Sequence, residues 1–150
     1  MANSKQQLHH HCLQLLNERI AELQTAVKSV QEARNNETKS SAGDKYETGR
    51  AMMQQEEDKL LARLDNTRQM RLQLSQIDPK KSTDQVDIGS LVETSARSYY
   101  LSVSLGKVIL EGQTYFCVSM EAPLAQALRG KERGNHIVFN QRKEEILSVA

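Results

Sequence analysis

Asp44 and Glu47 stand three residues apart at the end of the only turn-like cluster in the first half of the chain, residues 40–44. On the first turn of a helix, carboxylates at that spacing share one side. An exposed pair of this kind can hold part of the shell of a Mg²⁺ ion whose other ligands belong to a partner. Mg²⁺ suits the role because it keeps waters and needs only one or two carboxylates. The same spacing is that of a capping box, with Asp44 as N-cap accepting an amide hydrogen bond and Glu47 reaching back from the third helical position. Both readings stand together, since a capping carboxylate keeps a free oxygen. Arg34, Lys39, Lys45 and Arg50 oppose Glu37, Asp44 and Glu47, so the surroundings are mixed in charge and form no polyanion site.

A second cluster is His9-His10-His11-Cys12. His9 and Cys12 are three apart and would share a helix face, so they could supply two metal ligands. A structural zinc site takes about four, and no other His or Cys lies nearby in sequence. The plain alternative is a fraying helix start. Nucleophile-elbow, phosphate-loop and metalloprotease motifs are all missing, and Gly130 and Gly134 are not followed by Lys-Ser/Thr. Aromatic and basic residues do not interleave as in a groove for single-stranded nucleic acid.

The elements that must carry these residues fall into two unlike halves. Leu13, Leu16, Ile20, Leu23, Val27 and Val30 recur at alternating spacings of three and four. Met53, Leu60, Leu64, Thr67 and Leu74 form a second stripe, flanked by Leu61, Met70 and Ile77. Each stripe is too narrow for a globular core, so the two are expected to bury against one another as an antiparallel α-helical coiled-coil hairpin. This hairpin covers residues 1–78, with its tip at about 40–47. Arms of roughly 33 to 36 residues give a rod of about 50 Å. Asp78 and Pro79 stop the second helix, and residues 79–84 form a linker.

From 85 to 150 the period changes. Tyr99, Leu101, Val103 and Leu105 alternate with Tyr100, Ser102 and Ser104, as in a half-buried strand. Gly106-Lys107 is expected to turn the chain into 108–110, and Gly112 into 115–118. Pro123 opens a short helix closed by Gly130, and 137–139 and 146–149 give two further strands. The fold class is therefore α+β: the hairpin followed by a small antiparallel sheet with one short helix.

The chain has 150 residues, 38% apolar and 4% aromatic, with 20 basic against 19 acidic side chains. The near-neutral balance excludes the broad cationic surface of a protein that holds free DNA by its phosphates. Basic and acidic residues number 11 and 11 up to Asp78 and 9 and 8 beyond it, so neither half is polarised. Cys12 and Cys117, far apart in sequence, read as reduced thiols of a cytoplasmic protein. Neither a signal peptide nor a membrane-spanning run is apparent.

Four segments carry a family resemblance in chain order. Residues 41–47 end in Asp44 and Glu47 between the two helical arms; Val86–Val92 follows; Ala122–Lys131 and Glu144–Val149 complete the set. The chain resembles the Gre family of bacterial transcript-cleavage elongation factors. That family has a Val-x-Phe-Gly-Ser-x-Val strand opening, a Ser-Pro-Ile-x-x-Ala-Leu-x-Gly-Lys helix and a closing Tyr-Glu-Ile strand. The resemblance implies that residues 85–150 form an FKBP-like domain without isomerase activity, docking beside the RNA polymerase secondary channel. It implies that Ser119, Met120, Glu121, Ala122 and Pro123 form the docking loop. The hairpin would bring Asp44 and Glu47 to the polymerase active centre, close to the RNA 3′ end. There they would help hold a second Mg²⁺, present only in the complex, for cleavage of backtracked RNA. On this reading the chain is an accessory factor and no enzyme by itself.

The departures from the family are specific. Lys45, Thr48, Arg50 and Ala51 replace the Leu, Asn, Glu and Tyr usual around the acidic pair, Ala122 replaces the Ser before Pro123, and Asn135 replaces an Asp. Carboxylates with altered neighbours are easily misplaced, and about 1 Å costs around a hundredfold in rate. The alternatives are a Gre-like regulator that occupies the channel without cleavage, and a structural coiled-coil adaptor for an unrelated protein.

Overall fold

The computed structural model describes residues 2–40 and 44–150, with side chains from 4 to 36 and from 48 to 150. It is α+β: two long helices, α1 (Ala2–Ser40) and α2 (Asp44–Ser75), precede a six-stranded, mostly antiparallel sheet and one short helix. The strands are β1 (Leu91–Thr94), β2 (Ser98–Ser102), β3 (Gly106–Leu110), β4 (Gln113–Ser119), β5 (His136–Phe139) and β6 (Arg142–Val149), with α3 (Pro123–Leu128) between β4 and β5.

The chain divides into two compact units, one of Leu15–Arg71 and one of Met1–Gln14 with Leu72–Ala150. In the first unit, α1 and α2 form because neither holds Pro and both are rich in Gln, Glu, Leu, Lys and Arg. Leu16, Val27, Leu60, Leu64 and Thr67 are buried along their facing sides, all five on the expected stripes. Thr67 sits there because its hydroxyl donates to the Arg63 carbonyl at 2.7 Å, so no polar atom is stranded. Arg34 joins the helices: one guanidinium nitrogen is 2.7 Å from Gln54 Oε1 and 3.0 Å from Glu57 Oε2. Glu57 is buried, and this pairing is what makes its burial tolerable.

In the second unit, α2 ends where Ile77 N–H bonds back to the Leu74 carbonyl, and Pro79 cannot continue the helix. The sheet order is β3-β4-β2-β1-β6-β5. Two of the hairpins, β3–β4 and β5–β6, close through two residues of positive φ: Glu111-Gly112 (51° and 79°) and Asn140-Gln141 (49° and 65°). That is the turn whose twist matches antiparallel strands. β2 and β4 run parallel, Tyr99 opposite Phe116 and Tyr100 opposite Cys117, where antiparallel pairing throughout was expected. The chain leaves β2 through a tight turn, Leu105 N–H to the Val103 carbonyl, and Gly106 already opens β3. β3 therefore lies one place out, and β4 returns into the gap.

Sheet and α3 enclose the core of Val86, Val92, Tyr99, Leu101, Leu124, Ala125, Leu128, Ile137 and Ile146. The opposite face of β2 is not solvated as its alternation predicts, for Tyr100 and Ser102 are buried as well. The first turns of α1 account for this. Leu8, His9 and Cys12 are buried, His9 bonds to Tyr100, and Cys12 touches Cys117.

Candidate functional site

The acidic pair lies on α2: Asp44 opens the helix and Glu47 is in its first turn. The backbone places the two positions one turn apart on a single side. Their side chains lie outside the described residues, as do those of residues 37–43 and of Lys45 and Tyr46.

The segment Ser119–Pro123 is described in full. Ser119 ends β4 and Pro123 starts α3. Ala122 N–H donates to the Ser119 carbonyl at 3.1 Å and Glu121 N–H to Ser119 Oγ at 3.2 Å, so Ser119 closes the turn with both of its oxygens. The Gln126 side-chain amide donates back to the Met120 carbonyl. Met120 and Ala122 pack on the core, whereas Glu121 and Pro123 are exposed. Ala122 occupies the N-cap in extended conformation (φ −65°, ψ 143°) with no side-chain oxygen to give. Pro123 has no N–H to satisfy, and Ser119 and Gln126 fix the loop instead. The loop thus exposes one carboxylate and one proline ring on a turn tied down at both ends.

The His-rich start of α1 is no fraying end. His9 is 6% exposed, and its Nδ1 lies 2.6 Å from the Tyr100 hydroxyl. Burial holds its imidazole below the ordinary value of 6.5, partly offset by Asp78, while His10 and Lys5 push the same way as burial. Burial likewise raises the Tyr100 phenol, with Cys12 and Cys117 adding to it. Lys5 is buried too; its ammonium donates to the Lys81 carbonyl at 2.7 Å, and burial lowers its pKa. His9 and Cys12 do share a face, but each already has a partner on the sheet. Among the described residues, no three His, Cys, Asp or Glu side chains gather as metal ligands.

A second buried polar group is Glu144, whose Oε1 accepts from the Thr94 hydroxyl at 2.7 Å and the Tyr99 hydroxyl at 3.0 Å. Desolvation, then the bond to Glu144, pushes the Tyr99 phenol up to about 12. Beside it the Arg97 guanidinium lies 4.9 Å over the Phe116 ring. A surface groove of about 540 Å³ runs past Glu93, Arg97, Gln113, Tyr115 and Ser148, with no His or Cys in its lining.

The sequence reading missed His9, Cys12, Tyr100, Cys117, Thr94, Tyr99 and Glu144 as buried polar or thiol groups. A signal existed for the first two: Lys5, Leu8, His9, Cys12 and Leu16 continue the helical stripe back toward the N-terminus. Glu144 carries no signal, since its donors are 45 and 50 residues away.

No family model matches the chain, and no curated protein does. Among solved structures, that of the transcription factor Gfh1 is similar over 94% of this chain and 92% of that one, at 21% identity and a TM-score of 0.35. At that score the likeness says nothing of what this chain does. Among the described residues, no helix is long and apolar enough to cross a membrane.

Proposed function

We propose that the chain is a Gre-type transcription factor that binds RNA polymerase at its secondary channel and stimulates cleavage of backtracked RNA. What supports this is where the motif residues fall. The acidic pair is on the first turn of the second long helix, Val86–Val92 leads into β1, Ala122–Lys131 spans α3 and its exit, and Glu144–Val149 lies in β6. Each motif occupies the kind of element that the resemblance assigns to it.

In this reading the Ser119–Pro123 turn docks on the polymerase through Glu121 and Pro123. Because Ser119 and Gln126 pre-form the turn, little ordering entropy is lost on binding. The α1–α2 hairpin enters the channel with Asp44 and Glu47 leading, beside the RNA 3′ end. Asp44 and Glu47 are oxygen donors of the type Mg²⁺ accepts. When bound, that ion would supply Lewis-acid activation of water at the polymerase centre. The chain lends ligands and performs no hydrolysis alone, and its place of action is the cytoplasm. A second reading, channel occupancy without cleavage, is favoured by Lys45, Thr48, Arg50 and Ala51 standing where the family places other residues.

The test is a backtracked elongation complex of the cognate polymerase with Mg²⁺, comparing the wild type, Asp44→Ala/Glu47→Ala and no factor, with polymerase binding recorded alongside. The expected result is shortening of the RNA 3′ end that the double variant loses by at least about a hundredfold, with binding intact. Binding without shortening selects the regulator. No binding to core polymerase refutes both readings and leaves the adaptor.

A further inference from the structure

Cys12 on α1 and Cys117 on β4 are 105 residues apart in sequence, yet their sulfurs lie 3.6 Å from each other. Both side chains are free thiols at 1% exposure or less. We propose that this pair is a redox latch, closed by a small hydroperoxide into a Cys12–Cys117 disulfide that fastens the first turns of α1 to the sheet.

Four observations carry it. First, the sulfurs are already in contact, and closing to a disulfide length of about 2 Å requires a movement of roughly 1.5 Å. Second, the two thiols share a hydrogen bond that holds Cys12 below the ordinary thiol value and raises Cys117, so Cys12 ionises first. Third, burial excludes bulky oxidants and selects a small one such as hydrogen peroxide. Fourth, the segment to be fastened otherwise rests on the sheet side of this unit through non-covalent contacts: Lys5 to the Lys81 carbonyl, His9 to Tyr100, and apolar packing.

The Cys12 thiolate attacks one peroxide oxygen, the O–O bond breaks, and the departing hydroxide takes up the Cys12 proton as water, leaving a sulfenic acid. The Cys117 sulfur then attacks the Cys12 sulfur, the S–O bond breaks, and the second hydroxide takes the Cys117 proton. Two thiols lose two electrons, and one peroxide becomes two waters. A reduced dithiol reverses the bond by thiol–disulfide exchange.

The test treats the folded, reduced full chain with hydrogen peroxide, quenches, unfolds and alkylates it, and maps the peptides without reduction. The expected result is a monomer lacking two hydrogens, with no alkylated thiol and one cross-linked peptide pair holding Cys12 and Cys117. Dithiothreitol should restore both thiols. The closed form should melt roughly 5–15 °C higher, because the bond closes a long loop of the unfolded chain. In Cys117→Ser, Cys12 should stop at a sulfenic acid that dimedone traps; if that variant does not fold, the wild-type mapping decides alone. Two alkylated thiols after a dose that oxidises free cysteine would overturn the latch. So would sulfinic or sulfonic acid without a cross-link, disulfides only between chains, or a cross-linked form that melts lower.

Discussion

Replacing Tyr99 by Phe removes one oxygen and nothing else from the core. That hydroxyl donates to Glu144 Oε1 at 3.0 Å, and both side chains are buried, at 2% and 4% exposure. Thr94 Oγ1, at 2.7 Å, is the donor left to the same oxygen. A hydrogen bond to a charged acceptor contributes about 1.5–3 kcal/mol. For a chain of this size each kcal/mol moves the melting midpoint by roughly 2–4 °C, so Tyr99→Phe should melt about 3–12 °C lower at neutral pH. Alkaline pH gives an independent reading. The folded chain keeps the Tyr99 proton up to about 12, against the ordinary value of 10.0. Between those values the unfolded chain binds fewer protons than the folded one, so stability falls as pH rises. The contribution is whole below 10 and amounts to roughly 2–3 kcal/mol. Tyr100, also raised, sustains part of the loss in the variant. The assay is a set of thermal melts from neutral pH to about 11, on the wild type, Tyr99→Phe, Glu144→Gln and the double variant, with phenolate absorbance followed in parallel. A Tyr99→Phe midpoint within about 1 °C of wild type, or an unchanged alkaline slope, would refute the reasoning.

Two further outcomes follow from neighbouring groups. Because burial lowers His9 below 6.5, the unfolded chain gains a proton that the folded one refuses as pH falls under that value. Wild-type stability should therefore drop from pH 6.5 toward about 5, and His9→Gln should flatten the slope in thermal melts. Gly89 has φ +86°, and a Cβ there would sit 2.9 Å from Ile77 Cγ2. Gly89→Ala should lower the unfolding free energy read from denaturant melts by about 1–3 kcal/mol, with Ile77→Ala restoring the steric part but not the backbone part.

How far the sequence reached can be judged residue by residue. The two helical stripes were legible because Leu16, Val27, Leu60, Leu64 and Thr67 bury by local periodicity, which spacing reports directly. So was the end of α3, with Pro123 at its start and Gly130 just past its close. The return of β4 between β2 and β3 was not legible. Hairpin signals describe neighbours in sequence, and Gly106 marks a strand start after a tight turn, where a hairpin apex was expected. Tyr100 was read as outward because alternation assumes one wet face, and only the placement of His9 and Cys12 covers the other. Nothing in the sequence of 119–123 separates its five positions; packing does, with Met120 and Ala122 on the core and Glu121 and Pro123 exposed.

The long separation between α1 and β4 bears on how the chain is made. The ribosome releases Leu8, His9 and Cys12 about a hundred residues before Cys117, their neighbour on the sheet, so a helix with an unfinished apolar side waits through most of translation. Lys5 and His9 on that same side make it a poor target for unwanted hydrophobic association while it waits. Both find their hydrogen-bond partners only when β2 and the linker arrive. The polar atoms buried under α1 thus guard the nascent chain against aggregation during the interval, and they also select Tyr100 and the Lys81 carbonyl as the surface on which the helix finally rests.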